Sequence, residues 1–285
     1  MPTLFDGLGK AVVGGTAAEF SAFIEQETQM GLDPSMDQTE GRLMSQRVGV
    51  LGGMGPMATA DFFRKLIEET PAKRDEDHIP VVIYSVPQMP SRNAAITSGG
   101  ESPLPHMLEG LRALKAQHAD FAVIPCNTAH YWYKELCRDS GLPILHIVDA
   151  VCEQLASRRD VEGPIGLLST EATLSSRIYH DRLFGNGIEL LVNPPNERDE
   201  FINPGIELVK CGRFNEAGIA VERAVTRLLA RGAKKLILGC TELPVALEAI
   251  NSNGMEKCID ATRALARASV TRALRLTSSN ELLNY

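Results

Sequence analysis

Length, composition and charge exclude several classes of protein. The chain has 285 residues, of which 44% are hydrophobic and 23% charged, an ordinary globular composition long enough for about two domains. The formal net charge of −7 argues against a nucleic-acid partner, because phosphate binding requires clustered Lys and Arg. No apolar run reaches the ~18 residues of a membrane span, and no secretory signal is evident. We therefore expect a cytoplasmic protein with neither a nucleic-acid nor a membrane partner.

The six cysteines are scattered along the chain without any C-x-x-C spacing. This pattern argues against a zinc site and against a disulfide framework. The default role of a single cysteine is that of a small buried hydrophobe. That role is assigned to four of them: Cys137, Cys152, Cys211 and Cys258.

Residues 1–46 carry turn formers and acids but no strand-like run, so we interpret them as a loose N-terminal extension. A first strand is expected at 47–51, followed by a glycine-rich turn and a helix to about residue 69. The turn matches the dinucleotide fingerprint G-x-G-x-x-A, but Pro56 removes an amide and the next strand, 81–85, lacks the acidic residue that would hold a ribose. The turn is therefore expected to let the backbone approach a small anion.

Strands and helices continue to alternate along the rest of the chain. A short strand is predicted at 142–148, and residues 163–170 begin a second half much as residues 47–55 begin the first. This alternation predicts an α/β fold with two pseudo-symmetric lobes, each a parallel, doubly wound sheet flanked by helices, and an active site in the cleft between them. The first lobe is assigned to residues 47–147 plus 260–277, and the second to 148–259.

Two apolar runs, 121–125 and 235–239, end in Cys126 and Cys240, and each is followed by polar residues and a helical segment. A thiol at the carboxyl end of a strand, facing a helix N-terminus, is placed where the thiolate is favoured. Two equivalent thiols on facing lobes suggest a reaction in which one removes a proton from carbon and the other delivers one from the opposite side. The pattern therefore indicates racemisation or epimerisation, with two core cysteines as the alternative.

Three segments carry a resemblance to a known family: Gly52-Gly-Met-Gly-Pro-Met-Ala-Thr59, Ile124-Pro-Cys-Asn-Thr-Ala-His130 and Leu238-Gly-Cys-Thr-Glu-Leu-Pro244. They resemble the signature blocks of the aspartate/glutamate racemase family, and the likeness runs from Arg47 to about Leu276. Glu242, where the glutamate branch usually has histidine, favours the aspartate branch. The resemblance implies a cofactor-independent amino-acid racemase, commonly a homodimer, that uses Cys126 and Cys240 as its acid/base thiols.

The resemblance also implies how the substrate is held. Asn127, Thr128 and Thr241 match residues that hold the α-carboxylate and amino group. Arg92 and Lys210 match residues associated with a side-chain carboxylate, although an arginine after a strand is by itself more often a surface residue. The implied substrate-binding set is Gly53, Met54, Arg92, Asn127, Thr128, Lys210, Thr241 and Glu242.

Aspartate is the expected substrate, and racemisation of glutamate or of a broad range of amino acids is the alternative within the same class. A two-lobed protein that binds a small acid without chemistry would have no need of paired thiols. A pyridoxal phosphate enzyme is not favoured either, because nothing singles out a lysine for the Schiff base. The sequence therefore predicts an isomerase with a small-molecule substrate, no cofactor and no metal.

Overall fold

A computed structural model describes residues 45–157, 163–183 and 188–281, with side chains to residue 274. The predicted extension, apart from residues 45 and 46, lies outside the described residues. The strands are β1 Val48–Gly52, β2 Val81–Ser85, β3 Phe121–Val123, β4 Ile165–Leu168, β5 Leu190–Val192, β6 Lys235–Leu238 and β7 Cys258–Asp260.

The α-helices of the described residues alternate with these strands. They are α1 Pro56–Glu69, α2 Arg92–Thr97, α3 Leu104–Ala116, α4 Tyr133–Ser140, α5 Ile147–Ala156, α6 Glu171–Ser175, α7 Ile178–Leu183, α8 Pro195–Glu197, α9 Asn203–Lys210, α10 Phe214–Ala230, α11 Glu242–Ala249 and α12 Ala261–Glu281. Short 3-10 segments cover Asp75–Asp77, Thr128–Trp132 and Asn253–Lys257, and a π-helical turn covers Arg198–Ile202.

The strands form two sheets, with the orders β2-β1-β3 and β5-β4-β6-β7, and every strand pair is parallel. In the first sheet an isolated parallel bridge between Ala122 and Ile144 occupies the position that β7 holds in the second. The two sheets therefore share one topology. Strands β1 and β4 are buried along their whole length, as expected for central strands covered by helices on both faces. The predicted α/β class with parallel sheets flanked by helices is confirmed.

The strand predicted at 142–148 is wrong except for the bridge at Ile144. Ala122 donates its N–H to the carbonyl of Pro143, and Leu145 donates to Ala122, but the pairing stops there. His146 ends it, because its Nδ1 accepts a hydrogen bond from the backbone N–H of Val148 and caps helix α5. The apolar residues 147 and 148 therefore belong to the first turn of that helix.

The largest hydrophobic cluster joins the two sheets. It contains Val48 and Phe121 from the first sheet, Ile165 and Ile237 from the second, and Leu265 from α12. Helix α12 packs against both α1 and α5. Two separate hydrophobic clusters cover the outer sides of the sheets. The assignment of residue ranges to two lobes stays a prediction, since the described sheets share this central core.

A buried ammonium connects the helices of the two sheets. Lys65 of α1 has no exposed surface, and its Nζ lies 2.6 Å from Asp61 Oδ2 and 2.6 Å from Asp260 Oδ2, with Glu248 Oε1 at 3.5 Å. Burial opposes the charge, but attraction to Asp260 and Asp61 is stronger in sum and raises the pKa of Lys65. Because Asp260 ends β7, this ion cluster fixes α1 of the first sheet to the edge of the second.

Replacing Lys65 by Met should lower the free energy of unfolding by about 3–5 kcal/mol, because it leaves two buried carboxylates without their counter-ion. Urea denaturation followed by circular dichroism measures this change. Arg74→Met is a matched control, since Arg74 also pairs with two acids but is 67% exposed, and its loss should change stability little. Equal stability of the two variants would show that the buried cluster does not hold the sheets together.

Candidate active site

A cleft of about 370 Å³ lies at the carboxyl ends of the strands in both sheets. Ligands of parallel α/β sheets collect at this edge, where strands give way to loops. Loops after β1, β2, β3, β4 and β6 contribute to its walls. The lining includes every residue that the sequence singled out: Gly53, Met54, Arg92, Cys126, Asn127, Thr128, Lys210, Cys240, Thr241 and Glu242.

The glycines of the first turn serve packing inside the protein. Gly53 has φ +90°, and a Cβ there would lie 2.4 Å from the backbone of Val86. A Cβ on Gly52 would lie 2.3 Å from the Thr59 side chain, and the N–H of Gly53 donates to Thr59 Oγ1 at 2.9 Å. The N–H of Gly53 already has a partner, so binding of an anion by the amides of the following helix N-terminus stays a prediction.

Cys126 is 7% exposed and lies beside the guanidinium of Arg92. Burial raises the pKa of the Cys126 thiol, and the positive charge of Arg92 partly opposes this rise. Arg92 is anchored by its Nη1, which donates to the carbonyls of Pro90 at 2.8 Å and Met89 at 3.2 Å. Its buried Nε has no hydrogen-bond partner in the described part of the chain and is available to a ligand.

Cys240 is 9% exposed and has a carboxylate as its neighbour. Its Sγ–H donates to Glu242 Oε2 at 3.0 Å. Burial raises the pKa of Cys240 well above its ordinary value, and the charge of Glu242 raises it further. The prediction that both sites favour the thiolate is thus wrong, because burial raises the pKa of both cysteines.

Asn127 and Thr128 are held by residues from the second half of the chain. The hydroxyl of Tyr179 donates to Asn127 Oδ1 at 2.6 Å, while Asn127 Nδ2 is buried and has no partner within the described ranges. Thr128 Oγ1 shares a hydrogen bond of 2.9 Å with Thr173 Oγ1, which in turn bonds to Thr170. The donors next to Cys126 are therefore fixed in place before any ligand binds.

Comparison with known proteins identifies the family. The model of the Asp/Glu/Hydantoin racemase family matches residues 51–269. The chain belongs to this family. The resemblance noted in the sequence is therefore confirmed at the level of the family, and the protein is a racemase, a class of isomerase.

Named relatives include racemases of different amino-acid range. The chain is 28% identical to the broad specificity amino-acid racemase RacX of Bacillus subtilis over 243 residues, covering 81% of this chain and 100% of that one. The aspartate racemase of Picrophilus torridus superposes with a TM-score of 0.71 at 31% identity, covering 81% of this chain and 99% of that one. An aspartate racemase homologue of Pyrococcus horikoshii gives a TM-score of 0.62 at 25% identity, with coverage of 82% and 99%.

In this racemase the cation expected to bind a side-chain carboxylate already has a partner. Lys210 lines the cleft near the end of α9, and its Nζ donates to Glu207 Oε1 at 2.7 Å. Both side chains are largely exposed, so the pair is weak and open to competition. Glu207 lines a second, adjoining cavity of about 250 Å³ together with Asn93 and Thr170.

Sequence reasoning missed Thr170, Thr173, Tyr179 and Glu207. A signal existed for Thr170, since it follows β4 at the position that the glycine-rich turn occupies after β1. Tyr179 and Thr173 gave no signal, because their contacts with residues 127 and 128 span long separations in the chain.

Among the described residues, no group of three or more His, Cys, Asp or Glu could hold a metal, and none of the helices there is apolar over a membrane-spanning length.

His130 supports the loop that carries Cys126. Its Nδ1–H donates to the carbonyl of Cys126 at 2.9 Å, and its Nε2 accepts from the backbone N–H of Ile147 at 3.3 Å. The ring must therefore be neutral, with its proton on Nδ1. Burial lowers the pKa of His130 to about 4, because the charged ring would lose its hydration.

Stability should fall as pH falls from the unfolded pKa of His130, about 6.5, towards its folded pKa of about 4. Between these two pH values His130 is protonated in the unfolded chain and neutral in the folded protein. The free energy of unfolding therefore falls by up to about 3 kcal/mol. Urea denaturation over this pH range measures the effect. The variant His118→Asn, at an exposed histidine with φ 60°, should keep this pH dependence of stability, whereas His130→Asn should weaken it. An unchanged pH profile in His130→Asn would contradict this account.

Proposed function

We propose that this racemase interconverts L- and D-aspartate without a cofactor, with Cys126 and Cys240 as its two bases. The observation that carries the proposal is the pair of buried thiols at equivalent strand ends of two sheets with the same topology, both lining one cleft. A planar carbanion has two faces. Thiols approaching from two sheets can serve one face each.

The resting protonation states follow from the neighbours of the two thiols. Cys126, beside Arg92, is more readily ionised than Cys240. The thiol of Cys240 keeps its proton and forms a hydrogen bond to Glu242. Burial makes the Cys126 thiolate a stronger base than an exposed thiolate. The difference in pKa between this thiol and the weakly acidic α-carbon is therefore smaller. The thiolate takes the α-proton, and Cys240 returns a proton to the opposite face. Each turnover thus exchanges the thiol and thiolate states of the pair.

The remaining polar groups of the cleft would hold the substrate. Asn127, Thr128 and Thr241 line the cleft with both thiols, and this supports assigning Asn127 Nδ2 and the two threonine hydroxyls to the α-carboxylate. Negative charge spreads into that carboxylate as the proton leaves, and donors that are already oriented stabilise it at no further reorganisation cost. The free Nε of Arg92 is available to a side-chain carboxylate.

A second candidate is a racemase of broad amino-acid range, favoured by the pairing of Lys210 with Glu207. A cleft dedicated to aspartate would leave Lys210 free for the substrate, whereas here a carboxylate of the protein already occupies it.

The homodimer implied by the resemblance is also part of the proposal. The exposed Ile83 and Tyr84 on edge strand β2 support it, and sedimentation giving the 31.0 kDa of one chain would exclude it.

The purified protein, without cofactor, should exchange the α-proton of L-aspartate in deuterium oxide and form the D isomer, as followed by proton NMR and chiral chromatography. Cys126→Ala and Cys240→Ala should each lower racemisation in both directions by at least ~10²-fold, because every turnover uses both thiols. Cys211→Ala, at an exposed cysteine, is the control and should behave as wild type. A Cys126 or Cys240 variant with near-normal racemisation would exclude the two-base scheme. Absence of exchange with every amino acid would favour a binding protein.

Substrate range should respond to the Lys210–Glu207 pair. Glu207→Gln frees Lys210 and should raise kcat/KM for aspartate roughly 2- to 5-fold, while Lys210→Met should lower it by a similar factor. Alanine, which has no side-chain carboxylate, should be affected by neither change. Glu216→Gln is the matched control, because Glu216 forms an ion pair of the same i,i+3 spacing with Arg213 and does not line the cleft. Equal effects on aspartate and alanine would remove Lys210 from side-chain recognition.

A further inference from the structure

Tyr179 is a fully buried residue that reaches a cleft-lining side chain without lining the cleft itself. It lies on α7, within the hydrophobic cluster that joins the two sheets. Its hydroxyl donates to Asn127 Oδ1 at 2.6 Å, across 52 residues of sequence. Asn127 is 2% exposed and lines the cleft next to Cys126.

The carboxamide of Asn127 could present either of its ends to the cleft, and Tyr179 selects one. Burial raises the pKa of Tyr179 well above its ordinary value, so its hydroxyl keeps the proton and acts as a donor. A phenol can also accept a hydrogen bond from an NH₂ group, but here the Tyr179 hydroxyl donates to Asn127 Oδ1 at 2.6 Å. The NH₂ group is thereby directed away from Tyr179, and Nδ2 is buried with no partner among the residues that the structure describes.

A buried N–H group without an acceptor is costly unless a ligand supplies the acceptor. Asn127 follows Cys126 in the chain and lines the same cleft as Arg92, whose positive charge acts on Cys126 and favours an anionic acceptor there. The neighbouring Thr128 is also held from the second half of the chain, through Thr173. The segment 170–183 thus sets the orientation of both polar residues that follow Cys126.

We propose that Tyr179 is a positioning residue, which holds Asn127 with its NH₂ group aimed at the α-carboxylate of the substrate. This inference rests on the proposed function for the identity of that carboxylate. Without the Tyr179 hydroxyl the carboxamide can rotate and present its oxygen, which repels a carboxylate. The ring of Tyr179 packs in the central core, but its hydroxyl acts on the substrate only through Asn127, and this property separates it from a residue that merely supports the fold.

Tyr179→Phe, which keeps the ring and removes the hydroxyl, should lower kcat/KM for aspartate roughly 5- to 30-fold, with the larger part in kcat, because charge on the carboxylate grows in the transition state. Asn127→Ala should lower it at least as much. The double variant should match Asn127→Ala alone, since Tyr179 has nothing left to position. Tyr133→Phe is the matched control: it removes a tyrosine hydroxyl bonded to the carbonyl of Ile144 and should keep normal kinetics.

Binding of succinate, an unreactive dicarboxylate, gives a second readout by titration calorimetry that does not depend on catalysis. Succinate should bind to the wild type and several-fold more weakly to Tyr179→Phe, with no further loss in the double variant. Equal binding by wild type and Tyr179→Phe, no binding by the wild type, or losses that multiply in the double variant would each overturn the inference. If the wild type binds succinate with this pattern but racemises no amino acid, the proposed function fails while the role of Tyr179 stands.

Discussion

The ammonium of Lys65 is the contact on which the geometry of the cleft depends. Helix α1 begins at Pro56, in the wall of the cleft, and carries Lys65 into contact with Asp260 at the end of β7. Strand β7 pairs with β6, and the loop after β6 carries Cys240. Separating the sheets would leave buried charges without partners, which is far more costly than breaking an exposed ion pair. The spacing of the two sheet edges is thereby fixed.

Burial away from water sets the pKa of the two thiols in the cleft. Burial raises the pKa of both Cys126 and Cys240, although the two sit at equivalent ends of sheets with the same topology. Their neighbours break the symmetry, since Arg92 favours an anion at Cys126 and Glu242 retains a proton at Cys240. Because one site favours the charged form and the other the neutral form, the two cysteines can carry a single proton between them. A two-base reaction requires this state, with one thiolate and one thiol.

The polar groups of the cleft show a division between positioning and recognition. Residues near Cys126 are held by buried hydrogen bonds to Tyr179 and Thr173, so little ordering remains to be done when a substrate binds. The mouth of the cleft is different, because the pair of Lys210 and Glu207 is largely exposed and can be replaced by other contacts. The proposed function therefore assigns the chemistry to the part of the site held by buried hydrogen bonds, and the choice of substrate side chain to the exposed part.

The sequence by itself determined the alternation of parallel strands and helices and the two cysteine-bearing strand ends, which meet because parallel strands bring their carboxyl ends to one edge. The other eight residues that it singled out were assigned through the family resemblance, and they line the same cleft. Tertiary structure decided the rest. Residues 147 and 148 are helical because His146 caps them, and both thiols resist ionisation because the fold buries them. The bond of Tyr179 to Asn127 spans 52 residues. Burial and contacts between distant segments depend on how the whole chain packs, and no local pattern of residues encodes them.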